Sequence, residues 1–350
     1  MGPMLPPRRC AVAVVGLLAL APALVACGGD TGVQAGDVVP ARDDAQFAGT
    51  GNESMLALPI GRLEITLGKP TDRLSADDTR QIEALDAPDG GTFVPITWQY
   101  DASTFGRYAA FIDTPDSPVV DLVADGARYR IPPPDDSGKG STSFYVVVAG
   151  PGKDPRLEVD FDGVTQSVDL TTGDRDAGAA EALYDLPSPK TKRTDCTGTI
   201  EYGRKLVGAS SFTCATTRPV RLPYAGDSWA EDGQSWLALT VRTTLGRWNE
   251  VAKDLKSGGV YYATGVAGSF RLGDIEATKA YQDNEQTTCP STTSGSCTTE
   301  FHVIFAVGDK VPKKLTVEQD YTLLLTSAWG TGTDGEQNLD LPVTTTTTLK

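Results

Sequence analysis

Four residue classes in this 350-residue chain have the types and spacing to do chemistry: cysteines, one histidine, paired carboxylates, and aromatics set beside polar or glycine-rich stretches. Cys10 lies within an apolar leader and Cys27 at its end. That leaves Cys196, Cys214, Cys289 and Cys297 as an even set in the second half. In a chain with an export leader, such a set reads as two disulfides. Three connectivities are open. The local pairs Cys196–Cys214 and Cys289–Cys297 are preferred because each closes a short loop, a restriction of the unfolded chain worth on the order of 2–4 kcal/mol apiece. Zinc is the other use of cysteine, but no Cys-x-x-Cys occurs and the only histidine is far from ligand spacing.

His302 sits in a strand-like run, Phe301-His-Val-Ile-Phe-Ala306. A hydrolase triad would need it beside an activated nucleophile, and no Gly-x-Ser-x-Gly turn occurs, so it is read as a side chain on a strand face. Ser137-Gly-Lys-Gly-Ser-Thr142 has the residue types of a phosphate loop. Pro133 stands where the first glycine is needed and a strand follows instead of a helix, so it is read as a hairpin loop. The pairs Asp135-Asp136 and Asp160/Asp162 are chemically able to do glycosidase work. They fall at turns, where aspartate serves local hydrogen bonding. No calcium loop is complete, and no metal or cofactor is expected. Trp98 lies on the apolar face of its strand and is read as core. Trp229, Trp248, Tyr261, Tyr262 and Trp329 form the candidate ligand-contacting set. Rings at loop ends stack on sugars or anchor a partner; they also plug the ends of sandwiches.

The elements that must position these residues begin with a leader. Residues 1–26 hold Arg8-Arg9, an apolar run from Ala11 to Leu20 that is short for a membrane span, and Leu24-Val25-Ala26 before Cys27. Leu-Val-Ala-Cys followed by Gly-Gly-Asp resembles a bacterial lipobox. The resemblance implies that Cys27 takes a diacylglycerol, that the preceding peptide is removed, and that the chain is held at the outer face of the cytoplasmic membrane. Residues 27–52, rich in Gly, Asp and Ala, are expected to form a flexible tether. Residues 53–172 alternate as strands, with Asp125-Gly126 and Asp162-Gly163 as hairpin turns. Residues 173–194 form a linker in which Ala179–Tyr184 makes a helical turn or two. Residues 195–342 repeat the strand pattern, and the Thr-rich 343–350 is expected to be a disordered tail.

The repeat is explicit. Ala87-Pro-Asp-Gly-Gly-Thr-Phe-Val-Pro-Ile-Thr-Trp98 returns as Ala230-Glu-Asp-Gly-Gln-Ser-Trp-Leu-Ala-Leu-Thr-Val241, and Phe144–Ala149 returns as Phe301–Ala306, which sets His302 at the place of Tyr145. The fold class that follows is all-β, two tandem sandwiches. Thirty-one basic against 46 acidic residues give a net charge of −15. That balance disfavours nucleic acid, since no Lys/Arg patch is visible in the sequence. With lipobox, tandem sandwiches and the Asp-Gly-x-x-aromatic strand motif, the mature chain resembles exported lipoproteins of high-GC Gram-positive bacteria. Their immunoglobulin-like domains are similar to those of the immunoprotective extracellular antigens, although the Cys…Trp…Cys arrangement of true immunoglobulin domains is absent. The resemblance implies no catalysis. The tether, the duplication and the missing catalytic set point to a membrane-anchored, non-enzymatic module for protein interaction or structure, its partners the bilayer through Cys27 and an envelope or surface protein. A glycan- or solute-binding lipoprotein and a His-independent envelope hydrolase are the alternatives.

Overall fold

Alternation of apolar and polar residues builds antiparallel strands whose faces then find partners. In Thr92–Asp101, Val94, Ile96, Trp98 and Tyr100 point into one core, while Phe93 points the other way into a second cluster. Its neighbour Ser141–Val148 does the same, with Phe144, Val146 and Val148 on one face and Tyr145 and Val147 on the other. Burial on both faces is why the run reads as continuously apolar. The computed structural model describes residues 32–113, 117–134, 140–204, 211–251, 256–289, 295–330 and 336–350. Cys27 and the Ser137–Lys139 part of the loop motif, with Asp135 and Asp136, lie outside them.

Two five-stranded sheets enclose the first core. One runs in the order Val38–Pro40, Ser141–Val148, Thr92–Asp101, Gly61–Leu67, Asn52–Leu58; the other Arg175–Asp176, Val164–Asp169, Arg156–Phe161, Val119–Ala124, Ala127–Ile131. Leu63, Val120, Leu157 and Phe161, all fully buried, fill the space between them. Two further sheets enclose a second core around Leu239, Phe305, Val317 and Leu323. Their main strands are Phe212–Thr217, Ser235–Leu245 and Cys297–Val307 in one, and Ser257–Leu272, Lys314–Gly330 and Asn338–Thr348 in the other. Each such apolar side chain taken from water is worth about 1.5–3 kcal/mol. Residues 33–350 pack as one compact unit.

Both aspartate–glycine hairpins are present. Asp125 and Gly126 have φ of 53° and 78°, Asp162 and Gly163 of 49° and 78°. Positive φ at both central residues is what a two-residue turn matching strand twist requires. The two repeated stretches occupy like places, each a strand beside its repeated neighbour. The register corrects the sequence alignment by two residues. Thr97 faces Ser143 and Thr240 faces His302, so His302 stands where Ser143 does, not Tyr145. A slip of two keeps every side chain on its face, which is why apolar runs alone do not reveal it.

Three expected boundaries differ. The stretch read as tether is folded from Val38 onward: Val38–Pro40 pairs with Phe144–Val146, and Ala41 is fully buried. Phe47 packs edge-on against Tyr145 with ring centres 5.1 Å apart. The outward face of Phe93, Tyr145 and Val147 needs a cover, and residues 38–50 supply it. The linker is also packed, with Ala180 and Leu183 of a 3-10 helix, Gly178–Leu183, buried. The Thr-rich end is a strand, since Asn338–Thr348 pairs with Lys314–Leu324. Its Thr345 and Thr347 are buried and Leu349 joins the second core. Threonine is β-branched and suits a pleated, half-buried surface.

A candidate ligand cleft between the sheet pairs

Both expected disulfides are formed, Cys196–Cys214 and Cys289–Cys297. Cys196 adjoins the edge strand Arg193–Asp195, and its N–H donates to the Cys214 carbonyl at 2.9 Å. Cys297 opens the strand that carries His302.

The candidate aromatics do not gather into one site. Trp248 and Tyr261 are core residues on facing strands, at 0% and 3% exposure. Tyr261 falls on the inward parity of its strand with Ala263. Trp248 packs against Tyr202 and its indole N–H donates to Glu250, which Arg204 grips with two nitrogens at 2.9 and 2.7 Å. Burial pushes the Glu250 carboxyl up, but the bonds from Arg204 and Trp248 outweigh it and hold it below its usual range. Tyr262 is half-buried on the opposite parity. Trp329 is exposed, its ring lying over Gly258, where a Cβ would meet it at 2.5 Å. Trp229 does plug the end of a sandwich: its Nε1 donates to the Phe161 carbonyl at 2.9 Å.

His302 has more company than its sequence position suggests. Strand pairing sets Asp283 opposite Glu300, so Asp283, Glu300 and His302 bring ligand-type atoms within 4.8 Å of one another. His302 Nδ1 lies 3.1 Å from the Thr240 hydroxyl and Nε2 3.4 Å from Asp283. Glu300, however, is bound by Arg193 at 2.6 Å with Arg242 at 3.9 Å. Two guanidiniums thus occupy the surroundings a metal cation would need, and the cluster reads as an ion-pair network.

The linker is hydrogen-bonded to the first sheet pair and packs on the second, and further bonds and rings cross between the pairs. Gln166, fully buried, donates from Nε2 to the Ala57 carbonyl at 2.8 Å and accepts from the Tyr184 hydroxyl at 2.7 Å. The Ala57 N–H closes the ring by donating to the Tyr184 oxygen at 3.0 Å. Burial pushes the Tyr184 phenol up. Leu183 of the same segment packs with Ala238 and Ile304 of the second sheet pair. Asp113 N–H donates to the Gly226 carbonyl and Gly226 N–H to the Phe111 carbonyl, at 2.6 and 2.7 Å. Tyr224, from the second half of the chain, is buried in the first core against Phe161.

Beside this seam the 3-10 helix Gly106–Phe111, the strap Asp185–Lys190 and the segment Thr217–Arg221 surround a cleft of about 400 Å³. Tyr108 fixes the strap by donating to the Pro187 carbonyl at 2.7 Å. Tyr108, Phe111, Leu186, Val220 and Ala238 give apolar walls; Arg107, Lys190, Arg218 and Arg221 stand around them with one acid, Asp185. Arg221 is held by the carbonyls of Gly308 and Asp309 at 3.1 and 3.0 Å. Among the described residues, none of these four cations has a carboxylate at ion-pair distance. A second cavity of about 430 Å³ shares Lys190 and Arg218 and adds Lys192 and Lys350. The sequence showed no basic patch because these residues are scattered along it; the fold assembles one. No family model matches the chain, and no curated protein matches it.

Proposed function

We propose that the chain is a membrane-anchored, non-enzymatic cell-envelope protein. It is held at the outer face of the cytoplasmic membrane through acylated Cys27 and presents two immunoglobulin-like sandwiches to an envelope or surface partner. The leader ending in Leu24-Val-Ala-Cys27 supports the anchor. The strand order supports the sandwiches. Gly61–Leu67, Thr92–Asp101 and Ser141–Val148 are consecutive neighbours in one sheet, against Val119–Ala124, Arg156–Phe161 and Val164–Asp169 in the other. Phe212–Thr217, Ser235–Leu245 and Cys297–Val307 against Ser257–Leu272, Lys314–Gly330 and Asn338–Thr348 follow the same order of first-second-fourth against third-fifth-sixth. An order of this kind is what an immunoglobulin-like Greek key calls for, which supports that reading.

The observation that carries the interaction reading is the seam. Tyr224 and Trp229 reach Phe161 of the first sheet pair, and Leu183 and Tyr184 pack with Ala238 and Ile304 of the second, so surfaces on both are offered in a constant spacing. Binding to a preorganised surface loses little ordering entropy. The experiment is metabolic labelling with a fatty acid, followed by cross-linking in intact envelopes. Label on the native chain but not on Cys27→Ala, with a protein adduct recovered from the native chain, is the expected result. No label, or label with no adduct, overturns the respective part. Solute binding is a second reading, favoured by the cleft. A glycan platform of Trp248 and Tyr261 has lost its support, because both rings are core.

A further inference from the structure

We propose that the cleft between the sheet pairs is a binding site for a small amphiphilic anion, an apolar chain or ring ending in a carboxylate or phosphate. Three observations converge on it. The first is counter-charge. In a chain with 46 acids and 31 bases, arginines elsewhere find carboxylates. Arg128, Arg130 and Arg156 hold Asp121 and Glu158, Arg193 and Arg242 hold Glu300, Arg204 holds Glu250, and Arg271 holds Glu318. Among the described residues, Arg107, Lys190, Arg218 and Arg221 meet no carboxylate at ion-pair distance, although they surround a single cavity. Like charges brought together raise each other's energy, and an anion among them relieves it. Guanidinium groups match carboxylate and phosphate by paired hydrogen bonds.

The second observation is the wall. Tyr108, Phe111, Leu186, Val220 and Ala238 are apolar, and about 400 Å³ lies within the range of small-molecule clefts. A bare phosphate would leave that surface wet, and an uncharged hydrocarbon would leave the cations without a partner. The third is size and field. Tyr108 pins the Asp185–Lys190 strap along one side, which limits the cleft to a short ligand. A net charge of −15 repels long polyanions at a distance, whereas a monoanion feels mainly the local cations. The adjoining cavity, with Lys190, Lys192, Arg218 and Lys350, continues the same positive lining beside it.

The test is titration calorimetry on the full-length protein, with octyl phosphate and octanoate below their micelle concentrations. Octanol, octyltrimethylammonium and inorganic phosphate serve as controls. One-to-one binding of both anions is expected, at least about ten-fold tighter than any control. The double variant Lys190→Glu with Arg218→Glu, both exposed, is expected to keep its melting temperature and lose at least about ten-fold in affinity. Octanol binding as tightly as octyl phosphate would overturn the proposal, and so would inorganic phosphate alone doing so. An unaffected double variant, or an acidic decapeptide outcompeting octyl phosphate, is equally fatal. Transfer of a fluorescent lysophospholipid from phosphatidylglycerol vesicles assigns a membrane lipid as the source. Binding confined to monomeric amphiphiles assigns a soluble one, and either result upholds the chemistry.

Discussion

Gln166 is a polar side chain with no access to water, and its amide is used at both ends. Gln166→Ala leaves the Ala57 carbonyl without its donor and the part-buried Tyr184 hydroxyl without its acceptor. A loss of about 2–3 kcal/mol in urea unfolding is expected, and a loss under about 0.5 kcal/mol would refute the account. Asp121 makes a pH-dependent prediction. Burial pushes its carboxyl up, but bonds from Arg130 at 2.6 Å and Arg128 at 3.1 Å prevail and hold it below the usual range. A carboxyl depressed by folding contributes stability in full above its unfolded pKa of about 3.9, and loses it as pH falls through the folded value. Asp121→Asn is therefore expected to be less stable than the native chain by about 1–3 kcal/mol at pH 7, the gap narrowing as pH falls below the unfolded value and through the lower folded one. A constant gap in acid melts would sink this. At this scale the sequence was partly legible. Trp98 and both cysteine pairs were readable, because each depends on neighbours along the chain. Trp248 and Tyr261 looked like loop aromatics. What buries them is the facing strand and the second sheet, which no local pattern names.

The Asp162-Gly163 hairpin was visible in the sequence because a two-residue turn dictates its own residue types. Gly163 has φ of 78° and open space around it, so Gly163→Ala pays only for conformation, about 1–2 kcal/mol by thermal melts. The C-terminal strand was misread for a related reason. A run of threonines carries no alternation of residue type, yet Thr345 and Thr347 alternate in burial because Leu315–Val317 and Ile200 flank them. Truncation after Pro342 removes Val343 and Leu349 from the second core. The expected cost exceeds about 3 kcal/mol at 1.5–3 kcal/mol per side chain; a truncated chain of native melting temperature would contradict the pairing.

For the molecule as a whole, the two sheet pairs share one seam and are expected to unfold in a single calorimetric transition. Trp229→Ala removes the bond to Phe161 and the edge contact with Tyr224, centres 5.2 Å apart. It should split that transition in two, and a variant that still melts once would argue against mechanical coupling. The cleft was the least legible feature. Its cations stand at positions 107, 190, 218 and 221, on three separate segments, and a reading by local charge runs finds none of them notable.

Tyr224 fills a space in a core whose other buried side chains fall between residues 56 and 170. A polypeptide emerges N-terminus first, at about 5–20 residues per second during synthesis. The earlier sandwich must therefore wait some seconds for its last side chain, standing unplugged at one end while the residues that finish it are still being made. Any factor that escorts this chain before completion would find its foothold there, around Phe161.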